Sequence, residues 1–397
     1  MDEETFSLDE EDIEFDGESI EGETPYRSIQ RRLLRRLAAA FGTLLLVCAA
    51  LLVFLYRDRL SAEGLRSLFR SETTQMQSAE PFQYENGASQ SFARAGDGLA
   101  VASASGAQLF NERGRLSASL NVPMASPAAA ASRTLAVFYD VGGSACFAAG
   151  FDGEVRQLDA GQSVISVSVN DSGYFTVISE EPGTKGLVRV FDPKCSPVYE
   201  WYSGSGYPLR AWVGPDDRVL AALCVDTQGS VLHLFTLSSE EEKASLRYDG
   251  ELLFDMKFLS SERICAVGER GLRFAGVSGE EIARYDFGEN VLDAYDFGST
   301  GFAAVCLSEQ ASGGGALVTL DQDGSILGST ETDGAVTALS AGSRRLLVAT
   351  AGSLSLYSSQ LELQNQEEAL VTAKQALLRP KGDVLLLSSY AAEIFAF

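Results

Sequence analysis

LVRVFDPKCSPVYEW (187–201) is the clearest copy of a pattern that returns along the chain and indicates its fold class. A run rich in Val, Leu and Phe covers 187–191, a short polar turn follows, and a second strand-like run covers 197–201. Two such runs around a short turn are typical of a β-hairpin. We therefore interpret the unit as two antiparallel strands.

The same hairpin pattern recurs at intervals of 37 to 44 residues. Its other copies are AQLFNERGRLSASL (107–120), a weaker one from Ala145, VLHLFTLSSEEEKASLRY (231–248), LRFAGVSGEEIARY (272–285), ALVTLDQDGSILGS (316–329), SLSLYSSQLELQ (353–364) and the truncated AEIFAF (392–397). A period near 40 residues with several strands per unit is the signature of a β-propeller. The repeats predict an all-β propeller of seven or eight four-stranded blades, with eight favoured over a solenoid or an open sandwich array.

Two further features refine the blade. Each unit holds an upstream apolar run, such as RVLAALCV (218–225), RICAVG (263–268) and RLLVAT (345–350), which suits an inner strand packed on both faces by neighbouring blades. The last unit stops after its third strand, and residues 82–90 precede the first unit. We expect residues 82–90 to supply the missing strand and to close the ring, which removes an exposed edge.

A single transmembrane helix is predicted near the N-terminus. Residues 37–56 contain no charge, are long enough to cross a bilayer, and are flanked by Arg36 and Arg57 with Tyr56 at the interface. A long acidic segment precedes the run, so a cleaved signal peptide is the poorer interpretation.

The span divides the chain into segments of different charge. Residues 1–36 form an acidic and then basic tail that we expect to be disordered and cytoplasmic, residues 57–80 form a juxtamembrane stem, and residues 81–397 form the propeller. Five Arg before the span against four after it give a modest preference for a cytoplasmic N-terminus. This orientation places the propeller outside the cell membrane. Apolar residues among the twelve acids of the tail also fit docking of a cytoplasmic partner.

Charge and cysteine usage exclude several classes of function. The net charge is −24, and the residues after position 70 hold −19 of it (−24 + 12 − 7), so nucleic-acid binding is not expected. Cys224, Cys265 and Cys306 lie in apolar strand-like runs, where free Cys behaves as a small hydrophobe. We therefore expect core cysteines and no disulfide framework.

No residue pattern indicates catalysis, a cofactor or a metal. His233 is the only histidine, so a metal site built on several His or a Ser-His-Asp triad within one chain is not available. The sequence Asp321-Gln322-Asp323-Gly324 resembles the start of a calcium loop but lacks the later ligands, and it occupies a hairpin turn of the repeat. We interpret it as a turn.

A recognition surface is the better candidate site. Loops between strands two and three of a blade emerge on the same face as the blade-to-blade connections, so EEPGTKG (180–186) and WYSGSGYP (201–208) are expected to share a face. Exposed aromatic residues on Gly-rich loops are typical of binding surfaces. The candidate residues are Lys185, Trp201, Tyr202, Tyr207 and Trp212. The alternative is that both Trp pack between blades as core.

VSVNDSGYFTVISEEPGTKGLVRVFD (167–192) with EWYSGSGYPLRAWVGPDDRVLAAL (200–223) resembles a clostridial family of membrane-anchored β-propeller proteins of unknown function. The tail, the span and the repeats match the same layout, so the resemblance covers nearly the whole chain. It implies an extracytoplasmic propeller on a signal anchor, with WD40-like or quinoprotein-like repeats and no known catalytic residues.

We therefore expect a membrane-tethered, extracytoplasmic propeller that binds a protein or a cell-envelope ligand through one face, without catalysis or a cofactor. Two alternatives stay open. One is a transmembrane signal transducer that uses the acidic tail, and the other is a carbohydrate-active or quinone-type propeller enzyme.

Overall fold

The computed structural model describes residues 82–85, 89–308, 315–332, 334–368 and 373–397. Across these ranges the chain forms 32 β-strands and no α-helix. No helix long and apolar enough to cross a membrane occurs in the part that the structure describes. The predicted tail, span and stem (1–36, 37–56 and 57–80) lie outside the described residues.

The strands group into eight antiparallel four-stranded sheets, the blades of a propeller. Blade 1 consists of β2 Ser91–Ala95, β3 Gly98–Ser103, β4 Gly106–Phe110 and β5 Leu116–Leu120, and blade 2 of β6 Pro127–Ala131, β7 Leu135–Asp140, β8 Cys146–Gly150 and β9 Val155–Gln157. Blade 3 consists of β10 Val164–Val169, β11 Phe175–Ser179, β12 Gly186–Phe191 and β13 Pro197–Ser203, and blade 4 of β14 Tyr207–Val213, β15 Val219–Val225, β16 Gly229–Thr236 and β17 Glu242–Asp249.

Blades 5 to 8 continue the same pattern around the ring. Blade 5 consists of β18 Leu253–Phe258, β19 Arg263–Gly268, β20 Gly271–Gly276 and β21 Glu281–Asp286, and blade 6 of β22 Val291–Gly298, β23 Phe302–Ser308, β24 Gly315–Asp321 and β25 Ile326–Thr332. Blade 7 consists of β26 Val336–Ala341, β27 Arg345–Thr350, β28 Ser353–Ser358 and β29 Leu363–Glu368, and blade 8 of β30 Gln375–Leu378, β31 Val384–Leu387, β32 Ala391–Phe395 and β1 Phe82–Gln83. Every blade except the last is contiguous in sequence. The prediction of eight blades is confirmed.

The N-terminal strand β1 completes the last blade. It pairs antiparallel with β32, with Phe82 opposite Ala392 and Gln83 opposite Ala391. The Tyr84 hydroxyl donates to the backbone carbonyls of Ser388 and Ala391, both at 2.7 Å. The predicted closure from residues 82–90 is therefore confirmed, although the paired strand is only two residues long.

The hydrophobic core is divided into eight clusters, one between each pair of adjacent blades. Between blades 3 and 4, for example, Ile178 and Val188 pack with Ala211, Leu220 and Phe235. Apolar burial between blades, of about 25 cal/mol per Å², is thus distributed around the whole ring. Closing the ring at blades 8 and 1 completes the eighth cluster.

The apolar runs at 218–225, 263–268 and 345–350 form the second strand of their blades, β15, β19 and β27. They are packed on both faces, as expected, but they are not the strands next to the propeller axis. The axial positions belong to the first strands, since β10 contacts β14, β14 contacts β18, and β22 contacts β26. Four of the first strands, β2, β14, β18 and β22, carry charged side chains, and the other four carry none.

The turns between strands three and four of blades 3 and 6 share one local structure. Asp192 Oδ1 accepts hydrogen bonds from the backbone N–H groups of Lys194 and Ser196, and Asp321 Oδ1 accepts equivalent bonds from Asp323 and Ser325. The fourth turn residue has a positive φ, which Gly324 adopts without strain at +82°. The interpretation of 321–324 as a hairpin turn is confirmed.

The expected core cysteines are confirmed as well. Cys146, Cys224, Cys265 and Cys306 are buried free thiols, and Cys195 is half-buried in a turn. Burial raises the pKa of Cys146 and of Cys224 to about 12, and that of Cys306 to about 11. Since the thiolate is the reactive form, these thiols are inert at neutral pH while the chain is folded.

We expect iodoacetamide at pH 8 to modify Cys195 well before the four buried cysteines, and all five at similar rates after denaturation. The half-buried Cys195 is accessible to the reagent, whereas the buried thiols are both covered and protonated. Peptide mass spectrometry over a time course measures the rates. Equal modification of Cys195 and Cys265 in the folded chain would contradict this burial.

Candidate binding surface

The antiparallel strand order gives the propeller two distinct faces. Strands one and three of a blade run in one direction, and strands two and four run back. Connections from strand two to strand three therefore share a face with the blade-to-blade connections. We call this face A; it includes residues 180–185 of blade 3 and the connection 204–206 from blade 3 to blade 4. The opposite face is face B; it includes residues 192–196 of blade 3 and 214–218 of blade 4.

Lys185 and Tyr207 lie together on face A. Lys185 Nζ is 3.2 Å from the Tyr207 hydroxyl and 4.8 Å from the centre of its ring. The Lys185 N–H donates to the Ser203 carbonyl at 2.8 Å, which holds the two loops side by side. Tyr207 remains 55% exposed, so the pair presents an aromatic ring and a cation to solvent.

Tyr202 is the second exposed aromatic residue at this position. Its side chain is 51% exposed, and its hydroxyl donates to Glu200 Oε2 at 3.1 Å. Glu200 is held in turn by Arg189, whose Nε lies 2.6 Å from Glu200 Oε1. The hydrogen bond from Tyr202 to Glu200 raises the pKa of Tyr202, so the tyrosine is a neutral hydrogen-bonding group at physiological pH.

Trp201 points the other way, into the boundary between blades 3 and 4. Its ring centre is 5.1 Å from that of His233 and 4.9 Å from that of Phe235. His233 Nδ1 is 2.7 Å from Glu242 Oε1, and its Nε2 is buried without a hydrogen-bond partner. Trp201 and His233 are thus packing residues of this boundary, as the alternative interpretation of the tryptophans has it.

Trp212 lies towards the far end of β14 from Tyr207. Five residues of an extended strand separate the two, about 17 Å at 3.4 Å per residue. Lys257 Nζ of the next blade lies 5.6 Å from the centre of the Trp212 ring. The structure therefore brings Lys185, Tyr202 and Tyr207 to face A, whereas Trp212 packs against the core between blades 4 and 5, as in the alternative interpretation of the tryptophans.

Face A has further exposed apolar residues that the sequence did not single out. Of the ten strongly exposed large apolar side chains among the described residues, six lie on face A: Val141, Tyr202, Tyr207, Leu252, Val291 and Tyr390. The other four, Leu116, Val198, Ile326 and Leu363, lie where outer strands begin at face B. A lone apolar residue beside a turn looks like a strand residue in the sequence, so no pattern marks Tyr390, which is 65% exposed.

The charge of face A is predominantly negative on the side of blades 4 to 6. Near Leu252 and Val291 lie the exposed carboxylates of Glu269, Glu289 and Asp293, and the exposed guanidinium of Arg270 offsets one of them. The Arg247 guanidinium is already engaged by Asp226, at 2.8 Å. The surface thus combines apolar side chains with unneutralised acids, which favours a partner that is both apolar and basic.

Within the part of the chain that the structure describes, no group of three His, Cys, Asp or Glu side chains is placed to hold a metal ion. One described cleft, smaller than the cleft of about 390 Å³ beside Thr337 and Thr350 in blade 7, lies at face B between blades 2 and 3. It has a volume of about 320 Å³ and is lined by Leu135, Phe151, Arg156, Pro193 and Cys195 among others. Its walls are mostly apolar, and none of the predicted site residues contributes to it.

The fold is that of an eight-bladed, WD40-like β-propeller, and solved propellers resemble it. The C-terminal WD40 domain of Sif2 aligns with a TM-score of 0.57 at 13% identity over 81% of this chain and 98% of that chain. Chaetomium thermophilum Sqt1, bound to the N-terminus of ribosomal protein L10, gives 0.57 at 10% over 80% and 98%. BamB from Moraxella catarrhalis gives 0.52 at 13% over 80% and 100%. At such identities the similarity shows the fold alone.

The sequence itself matches the family described as Family of unknown function (DUF5711) over residues 70–368, and the chain belongs to this family. No curated protein matches it. The family assignment agrees with the resemblance in one respect, since both point to a family of unknown function.

Proposed function

We propose that this chain is a membrane-tethered, extracytoplasmic propeller that binds a protein partner through face A and acts as a scaffold without catalysis. The observation that carries the proposal is the exposed pair of Tyr202 and Tyr207 beside Lys185 on that face. Exposed aromatic rings next to a cation suit recognition, and Tyr is among the residues that dominate binding energy.

The properties of face A also indicate the chemistry of the partner. Tyr202, Tyr207 and Tyr390 supply rigid rings with a polar tip, and the acids of blades 4 to 6 favour a basic segment. Sqt1, which has the same fold, holds the N-terminus of a ribosomal protein. A chain end or loop that carries Lys or Arg beside apolar residues is the partner that fits best.

Tethering and location follow from the sequence. The uncharged run at 37–56 is the proposed anchor, and the arginines before it favour a cytoplasmic N-terminus. In this proposal the propeller lies outside the cell membrane, where proteins and envelope components can reach it.

We expect the triple variant Tyr202→Ser, Tyr207→Ser, Tyr390→Ser to capture its partner at least about tenfold less efficiently than the unmodified chain. The three hydroxyl-bearing rings are exposed, so their removal should change binding and not folding. The measurement is cross-linking and affinity capture of the full-length chain from native membranes, quantified by mass spectrometry.

A matched control changes three exposed apolar residues on the opposite face, Leu116, Ile326 and Leu363, to Ser. Its capture should equal that of the unmodified chain, while the face A variant loses the same protein. Capture that survives the face A changes, or that is lost with the face B changes, would refute the assignment to face A.

A further inference from the structure

A cleft at the face A end of blade 7 is a second candidate site, separate from the tyrosines of blades 3 and 4. It has a volume of about 390 Å³, within the range of about 300–1,000 Å³ that is typical of small-molecule pockets. Each of the four strands of the blade contributes a polar side chain to its lining: Thr337 from β26, Thr350 from β27, Ser353 from β28, and Gln366 and Glu368 from β29. The polar lining is therefore carried by the sheet itself.

Strand pairing brings these polar side chains together. Ser353 lies directly opposite Glu368 in the ladder between β28 and β29, so their Cβ atoms are about 4.5–5.5 Å apart on the same face of the sheet. Thr350 Oγ1 lies 2.9 Å from Ser353 Oγ, which extends the row to β27. Gln366 precedes Glu368 by two residues and therefore points to the same face. The four side chains form one polar surface across three strands.

These groups keep unused hydrogen-bonding capacity. Thr337 Oγ1 donates its hydrogen to the Ala349 carbonyl at 3.1 Å, so its lone pairs stay free to accept. Thr350 and Ser353 use one hydroxyl hydrogen between them, and the other hydrogen can be donated to a ligand. The two side chains of β29 are exposed and have no hydrogen-bond or ion-pair partner among the described residues. The cleft thus offers donors and acceptors side by side.

The composition of the lining disfavours several kinds of ligand. No Lys or Arg lines the cleft within the described part of the chain, and Glu368 adds a negative charge, so phosphates and other anions would be repelled. The described lining holds no aromatic or large aliphatic side chain either, so an apolar ligand finds no anchoring pocket. Its other members are small: Gly334, Ala335, Ala351 and Gly352. Polar groups beside small residues suit an uncharged ligand that carries many hydroxyl groups.

We propose that this cleft binds an uncharged sugar residue of a glycan. The Gln366 amide both donates and accepts, and the Glu368 carboxylate accepts through two oxygens, so each can bond neighbouring hydroxyl groups of one sugar ring. The free hydroxyl hydrogen of the Thr350 and Ser353 pair supplies a further donor. The methyl groups of Ala335 and Ala351 offer a small apolar surface to the C–H groups of the ring. The site does not depend on the tyrosines proposed to bind a protein, so either proposal can fail alone.

The test applies the full-length chain, in a detergent without a sugar headgroup, to an array of glycans that end in glucose, galactose, N-acetylglucosamine, glucosamine or glucuronic acid. At least one neutral glycan should be bound, and those ending in glucuronic acid should not. Gln366→Ala should weaken binding of that neutral glycan at least about tenfold, because an amide that donates and accepts is lost. Asn365→Ala is the matched control and should leave binding unchanged, since this neighbour in β29 is also exposed but points to the opposite face of the sheet.

A second variant blocks the cleft without removing a polar group. Gly352 lines the cleft, its φ is not positive, and a Cβ at this position would meet no atom within 4 Å. Gly352→Leu should therefore fold normally and still exclude the sugar. Thermal denaturation reports folding of each variant, and capture of a protein through Tyr202 and Tyr207 should survive all of them. The proposal would be overturned if no neutral glycan were bound, if binding were confined to glucosamine or glucuronic acid, or if Gln366→Ala and Gly352→Leu both bound as the unmodified chain does.

Discussion

Replacing Phe82 with Ala should lower the free energy of unfolding by about 3–5 kcal/mol, the range for deleting a buried aromatic ring. Phe82 is completely buried, and its ring centre lies 6.1 Å from that of Phe110 in blade 1. The Arg379 guanidinium lies 5.8 Å from the same ring centre. One side chain from the start of the propeller thus packs against both blade 8 and blade 1, and its loss opens the junction that closes the ring.

Urea denaturation followed by tryptophan fluorescence measures this change. Trp201 packs between blades 3 and 4 and Trp212 between blades 4 and 5, so a shift of the fluorescence transition in the Phe82→Ala variant reports an effect that has spread from the junction to distant boundaries. Tyr390→Ala, which removes an exposed aromatic residue from the same blade, should shift the free energy by no more than about 0.5 kcal/mol. A Phe82→Ala variant as stable as Tyr390→Ala would mean that β1 does not close the propeller.

The blade architecture could be predicted from the sequence because its determinants are local. Each hairpin holds its strands and its turn within about 15 residues, and the Asp192 and Asp321 caps use only neighbouring backbone groups. The closure could be predicted because AEIFAF (392–397) has no following strand, whereas residues 82–90 have no preceding partner. Both inferences need only the order of the strands.

The position of the channel could not be predicted in the same way. The first strands are hard to recognise in the sequence, because Arg210 interrupts the apolar pattern of β14, and Asp255 and Lys257 interrupt that of β18. The continuous apolar runs that follow them resemble axial strands more closely. The partners of these charges lie one blade away, 45 residues apart for Arg210 and Asp255. Charge pairs at such separations leave no periodic trace in a single sequence.

Only part of the candidate surface could be predicted from the sequence, because the rest also depends on contacts between blades. Strand polarity alone places Lys185 and Tyr207 on one face, although they are 22 residues apart. Trp201 and Tyr202 are neighbours in β13 and therefore point to opposite faces of the sheet, Trp201 towards Phe235 and Tyr202 towards solvent. A shift of the strand register by one residue would exchange their positions. Register follows from side-chain packing between blades, which the local sequence does not contain.

The other large effect is expected at Arg379, where replacement by Met should cost about 3–5 kcal/mol, the range for breaking a buried ion pair from one side. The side chain of Arg379 is completely buried and pairs with Asp383 through Nε, at 2.7 Å, and through Nη2. Its Nη1 donates to the backbone carbonyls of Asp97, at 3.0 Å, and Glu112, at 3.2 Å. One guanidinium therefore joins the first turn of blade 8 to two turns of blade 1.

The comparison with Lys separates charge from geometry. Arg379→Lys keeps the positive charge, but a single ammonium cannot bond to Asp383 and to both carbonyls as the planar guanidinium does. Most of the stability that Arg379 contributes should therefore still be lost. Arg156→Met is the control, because its pair with Glu154 is exposed and the denaturation midpoint should stay the same. Recovery of full stability by Arg379→Lys would show that charge alone holds the junction. A loss close to that of Arg379→Met would show that the closure depends on three acceptors from two blades meeting one planar group.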